Sequence, residues 1–166
     1  MSFKEILDLL KSGQLDTSDV ESVSSSSASS GWNPAAVSAL LGSRDAIAYY
    51  LEQHAYQAVN QDGSDLYIAI NGKRGNASMY GSFLAEFGVG TGYSAAEGVS
   101  YARAKDVVGH EITHGVVDAT SGLEYKRLSG ALNESYSDFF GTVIEGKNWL
   151  VGEDLLHPSG STLRNM

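Results

Sequence analysis

The sequence predicts an α+β fold: a small antiparallel sheet set beside a central helix, in one compact domain. Three observations carry that expectation. Apolar residues recur at helical spacing from Val37 to Ala55, alternate at strand spacing from Leu66 to Asn71, and cover most sides of a helix from Ala102 to Asp118. With 166 residues and 42% hydrophobic content, the chain has room for one real core and a small appendage, not for two full lobes.

In chain order, Phe3, Ile6, Leu9 and Leu10 mark a short amphipathic helix that must dock on something to persist. Residues 22–30 hold seven serines in nine positions and offer almost nothing to bury, so they read as a linker. Residues 1–31 are expected to be an appendage, either a solvated tail or a short pro-segment or docking arm, and residues 32–166 the folded lobe. Asn33-Pro34 supplies an N-cap and a proline at the first helical position, opening a helix through Val37, Leu40, Leu41, Ile47, Leu51 and Ala55 with a candidate break at Gly42. His54 lies in it without a partner at metal spacing and reads as a packing or surface histidine.

Leu66 to Asn71 alternates like a half-buried strand, and Gly72-Lys73-Arg74-Gly75 can reverse the chain into a second strand from Ala77 to Phe87. The helix from Ala102 to Asp118 has one apolar line at Val108, Ile112 and Val116 and another at Val107 and Val117; Gly109 and Gly115 permit close approach by neighbours. A last helix, Ala131 to Glu145, is predicted to bury Leu132, Tyr136, Phe139, Phe140 and Val143, with Glu134 and Asp138 sharing another face. Beyond Gly146 the chain reads as irregular.

A net charge of -9 argues against nucleic acid and anionic membrane as partners. There is no cysteine, so any metal must use histidine and carboxylate ligands. Charges interrupt the first residues too early for a signal-peptide apolar region, and no apolar run approaches the ~18 residues of a membrane span. The expectation is a soluble chain, cytoplasmic or exported without a leader.

The chemistry concentrates at His110-Glu111-Ile112-Thr113-His114. Residues four apart on a helix stand about 40° apart around the axis and about 6 Å along it, so both imidazoles can reach one zinc ion. Catalytic zinc takes three protein ligands and leaves one position open, and Glu134 on the following helix can complete a two-histidine, one-glutamate set. Glu111 is then the general base, and Asp138 is suited to hold one ligand imidazole in its tautomer.

The runs Asp106-Val-Val-Gly-His-Glu-Ile-Thr-His-Gly-Val-Val-Asp118, Ser121-Gly-Leu-Glu-Tyr125 and Ser129-Gly-Ala-Leu-Asn-Glu-Ser-Tyr-Ser-Asp-Phe-Phe-Gly141 closely resemble the thermolysin-like zinc metallopeptidases, peptidase family M4 of the gluzincins. The resemblance runs from about Ala46 to the last residues and leaves the first forty or so outside it. It implies a zincin-like lobe with His110, His114 and Glu134 on zinc, Glu111 as base, Tyr125 as an oxyanion donor, and Asn133 and Asp138 behind the histidines. It further implies that Asn76 and Ala77 form an edge strand for an extended peptide or protein substrate, that Arg164 grips a substrate carbonyl, and that Asp106, Glu145 and Glu153 belong to a calcium site. The family's helical C-terminal lobe follows the arginine motif, so the chain, stopping at Met166, is expected to lack it and to self-associate or use a partner that completes the cleft. His157, before Pro158, matches no oxyanion position of the family. The function expected is a zinc metalloendopeptidase; the alternative is a zinc-binding but catalytically silent module acting through protein partners.

Overall fold

Pro34 opens the first helix, α1 (Pro34–His54), which runs through Gly42 without a break. That glycine is there for packing: a Cβ on it would stand 2.9 Å from Val108 Cγ1, so its absence lets α1 lie close against the central helix. The helix ends in a left-handed residue, Ala55 at φ 50, with Tyr56 N–H donating to Tyr50 C=O and Ala55 N–H to Leu51 C=O, which satisfies two terminal carbonyls. His54 packs against Tyr49, Tyr50 and Phe140, as a packing histidine should.

These elements belong to a computed structural model that describes residues 31–57, 59–72, 75–92, 95–156 and 162–166. The amphipathic segment and serine linker read from residues 1–30 lie outside the described residues, as does His157. Residues 34–166 form one compact unit.

The sheet departs from expectation in two ways. The strand anticipated over residues 77–87 is two strands, β2 (Ala77–Tyr80) and β3 (Leu84–Gly88), folded into an antiparallel hairpin by a turn at Gly81, whose φ of +56 favours glycine. The strand before them, β1 (Tyr67–Gly72), pairs with β3 in parallel, giving the order β1-β3-β2 and a mixed sheet in place of an antiparallel one. The physical reason is burial. All five residues of β3 are buried, so it takes the central place with a neighbour on each side. That leaves β2 at the edge, beside the cleft.

The central helix, α2 (Lys105–Ala119), follows a short 3-10 turn over residues 101–103 and is buried along most of its length. It separates two apolar clusters. One gathers Phe87, Ala85, Tyr101, Val108 and Leu155 around the sheet; the other gathers Ala46, Tyr50, Val59, Ile112, Val116 and Ile144. Gly115 serves the second: a Cβ there would fall 2.5 Å from Val59 Cγ1.

The next helix, α3 (Arg127–Glu145), is capped by Gly146 in the left-handed conformation at φ 74. Here most of the expected apolar face is turned outward, while Phe140 packs, partly buried, against the second cluster. Leu132, Tyr136 and Phe139 are exposed, and the buried side carries Gly130, Asn133, Ser137, Asp138, Gly141, Thr142 and Ile144. Small and polar residues face inward because α3 crosses α2 at very close range, and what α2 presents there is a polar site. Beyond Gly146 the chain is more regular than anticipated: β4 (Leu150–Val151) pairs with β5 (Arg164–Asn165). No helix among the described residues is long and apolar enough to cross a membrane.

Candidate metal centre

The α2–α3 crossing builds the site. A Cβ on Gly109 would meet Gly141 Cα at 3.2 Å, and one on Gly141 would fall 2.5 Å from the Asp106 carbonyl and 3.1 Å from the His110 nitrogen. Only glycine-to-glycine contact allows the helices so near, and it carries Asn133, Glu134, Ser137 and Asp138 of α3 up to His110 and His114 of α2.

His110 Nε2 and His114 Nε2 lie 2.9 Å apart, with Glu134 Oε2 3.5 Å from the first and Glu134 Oε1 3.4 Å from the second. The opposite ring nitrogens face oxygen. His114 Nδ1 is 2.6 Å from Asn133 Oδ1 and 3.0 Å from Ser137 Oγ. His110 Nδ1 is 2.8 Å from Asp138 Oδ1, although an N–H there is not aligned for a straight hydrogen bond. In the tautomer that puts both protons on Nδ1, facing these oxygens, the two Nε2 lone pairs point at one space, where a shared proton or a cation relieves their repulsion. Two imidazole nitrogens and a carboxylate oxygen within 4.8 Å of one another match a three-ligand zinc set with one position open.

The charges around this space are strongly perturbed. Hydrogen bonding to His114 comes first in holding the Glu134 carboxyl down at about 2, with help from Tyr125, whose hydroxyl donates to Glu134 Oε1. That same bond, with burial behind it, pushes the Tyr125 phenol up to about 12. Burial pulls His114 toward neutrality, but Glu134, Asn133 and the Glu111 charge outweigh it and raise its pKa. Burial also raises Glu111, which is only 6% exposed, against the opposing pull of the two histidines. Asp138 is opposed by burial yet held below the usual carboxylate range by His110 and by Arg164, which donates to it from Nε and Nη2 at 2.5 Å each.

These groups, Asp138 apart, line one cleft of about 750 Å³, together with Asn76, with Ala77, Ser78 and Tyr80 of β2, and with Asp118 and Leu123. The sequence-predicted residues Asn76, Ala77, His110, Glu111, His114, Tyr125, Asn133, Glu134 and Arg164 are thus brought to one place, with Asp138 immediately behind His110. Two features escaped the sequence reading. Ser137 contacts His114 Nδ1, and its signal was available: it lies four residues after Asn133, on the same helical face. Arg164 grips Asp138, a pairing that sequence spacing could not show.

A second acidic group lies on the other side of the crossing. Asp106 in the first turn of α2, Glu145 at the end of α3 and Glu153 in the 3-10 turn of residues 153–155 bring carboxylate oxygens within 4.8 Å of one another. Asp106 is 1% exposed and accepts from Gly152 N–H at 2.5 Å and Val107 N–H at 2.8 Å. Glu145 Oε2 and Glu153 Oε2 are buried with no hydrogen-bond partner. Burial, then the Asp106 and Glu153 charges, push Glu145 up to about 7. Oxygen-only ligands with orphaned buried carboxylate atoms fit a hard divalent cation such as calcium.

Comparison with known proteins agrees with this geometry. The family model of the thermolysin metallopeptidase catalytic domain matches residues 5–118, and that of the thermolysin alpha-helical domain matches residues 121–166. The first match begins well before Ala46. The second corrects the expectation of a chain without the helical lobe: α3 and all that follows already match that domain's model. An extracellular elastase of Staphylococcus epidermidis is 37% identical over 144 residues, covering 80% of this chain and 27% of that protein. A thermolysin of Alicyclobacillus acidocaldarius is 37% identical over 131 residues, covering 72% and 23%. A bacillolysin of Brevibacillus brevis is 52% identical over 63 residues, covering 37% and 12%. The chain therefore spans about a quarter or less of the length of these relatives. Among solved structures, the precursor of protealysin from Serratia proteamaculans superposes with a TM-score of 0.74 at 28% identity, over 86% of this chain and 47% of that one.

Proposed function

The chain belongs to the thermolysin metallopeptidase family, and from that premise we propose that it is the zinc-binding part of an endopeptidase that hydrolyses peptide bonds with Glu111 as general base. One observation carries the reading: the His110 and His114 Nε2 atoms converge with Glu134 on the wall of a cleft that the buried Glu111 also lines. When bound, zinc supplies Lewis acidity, polarising a carbonyl and lowering the pKa of water to about 7. Glu111, raised by burial, takes a proton from the attacking water and delivers it to the leaving amine. An extended peptide adds to the free edge of β2, where Asn76 and Ala77 supply backbone and amide hydrogen bonds. Tyr125, its phenol protonated at neutral pH, turns from Glu134 to donate to the developing oxyanion. Arg164 orients Asp138 and offers its remaining N–H groups to a substrate carbonyl. Asp106, Glu145 and Glu153 hold calcium and tie the start of α2 to the end of α3.

A second reading, a metal-binding module without turnover of its own, is favoured by the openness of the cleft at Tyr125, which is 69% exposed beside an 84% exposed Leu128. In that reading a partner protein or a second copy covers this face. Peptide hydrolysis by the zinc-loaded chain, compared with Glu111→Ala at equal zinc content, separates the two. The peptidase reading expects a loss of about 10²–10⁴-fold in kcat. Equal cleavage by both proteins, or zinc binding one-to-one without cleavage by either, removes it and leaves the module.

A further inference from the structure

We propose that Lys147 is a built-in counter-cation at the acidic cluster of Asp106, Glu145 and Glu153, limiting that cluster to one divalent ion held less tightly than its carboxylates alone would hold it. The inference rests on the calcium reading above and adds a residue on which that reading is silent. Gly146, in the left-handed conformation at φ 74, ends α3 and turns the chain so that Lys147 folds back over the cluster. Its ammonium stands 3.0 Å from Glu153 Oε1 and 3.2 Å from Asp154 Oδ1, and Asn148 Nδ2 donates to the same Glu153 oxygen at 2.7 Å.

The two oxygens of Glu153 are thereby divided. Oε1 faces the rim, where Lys147 and Asn148 satisfy it. Oε2 is buried without a partner, as is Glu145 Oε2. Lys147 is half exposed and Asp106 almost wholly buried, so the ammonium occupies the outer side of the cluster and leaves the inner oxygens for an ion.

Charge sets the capacity. The three cluster carboxylates together with Asp154, which shares the Lys147 ammonium, sum to minus four when ionised, and Lys147 brings that total to minus three. One divalent ion then leaves minus one, and a second would reverse the sign. Without Lys147, two divalent ions would neutralise the cluster. A cation this near also repels the first ion, weakly because the lysine is solvated.

The test is calorimetric titration of calcium chloride into the zinc-loaded full chain after treatment with EGTA, for the wild type, Lys147→Gln and Lys147→Arg. Lys147→Gln is expected to bind calcium about three- to tenfold more tightly and, before calcium is added, to melt at a lower temperature. Lys147→Arg, which keeps the charge, should behave as the wild type. Calcium binding by the wild type with an unchanged or weaker constant in Lys147→Gln overturns this proposal alone. Absence of calcium binding in all three proteins overturns it together with the calcium reading.

Discussion

The two groups of candidate metal ligands gathered where α2 crosses α3, the second completed by Glu153 of the following 3-10 turn, lie on opposite sides of one contact, Gly109 against Gly141, and they are finished to different degrees. On the His110 side the ligands are held in place: Asn133 and Ser137 fix His114, Asp138 faces His110, Arg164 fixes Asp138, and Tyr125 reaches Glu134. On the Asp106 side two carboxylate oxygens are buried with nothing to bond. In the first, the candidate ligands are preorganised, with both Nε2 atoms already facing one space. The second is a charge conflict that a cation resolves. One close helix crossing therefore supports both groups.

The sharpest way to break this comparison is at the contact itself. Gly141→Ala places a Cβ 2.5 Å from the Asp106 backbone oxygen and 3.1 Å from the His110 nitrogen, backbone atoms that cannot swing aside. Overpacking of this kind costs about 1–3 kcal/mol, and thermal unfolding should show it. Because the clash touches both Asp106 and His110, zinc and calcium affinity should fall together. Loss of one alone would mean that the two sites do not share this support.

Asp138→Ala acts on one side only. It removes the group facing His110 and releases Arg164, so zinc affinity should fall about 10–100-fold while calcium affinity stays as in the wild type. Competition with a chromophoric chelator measures both. A zinc affinity unchanged by this substitution would show that the His110 ring is held by packing alone.

The smallest effect is a difference in sign. In metal-free protein, Glu145 at about 7 stands above the ordinary carboxylate value of 4.5, so the folded chain binds more protons than the unfolded one between those values, and stability falls as pH rises through that window. Glu134 at about 2 does the reverse: its contribution is present above pH 4.5 and is lost as pH falls toward 2. Melting temperature against pH should therefore decline between about pH 4.5 and 7, and Glu145→Gln should flatten the decline. A rise across that range in the metal-free wild type would contradict the conflict described for the acidic cluster.

Much of this was legible in the sequence, and the parts that were not share a cause. His110, Glu111 and His114 could be read because helical spacing, a local property, places them on one helix; Glu134 and Asp138 share a face of the next helix by the same spacing, and their meeting with the histidines was read from zinc's need for a third ligand and from the family resemblance. The turn at Gly81 and the parallel pairing of β1 with β3 could not, since strand order depends on which strand is buried on both faces. The buried face of α3 was misread for an instructive reason. Amphipathicity sends Leu132, Tyr136 and Phe139 inward by default, but here the interior holds a polar site and a glycine crossing, so Asn133, Ser137, Asp138 and Gly141 take the inside. A buried functional site inverts the rule that locates ordinary cores.

The central claim, that the converging Nε2 atoms and Glu134 hold the zinc, is tested most directly by anomalous diffraction at the zinc edge from crystals of the zinc-loaded chain. The account predicts one peak about 2.0–2.2 Å from His110 Nε2, His114 Nε2 and a Glu134 oxygen, with Asn133 and Asp138 still on the opposite ring nitrogens. A peak on either Nδ1, or none between the two rings, would contradict it.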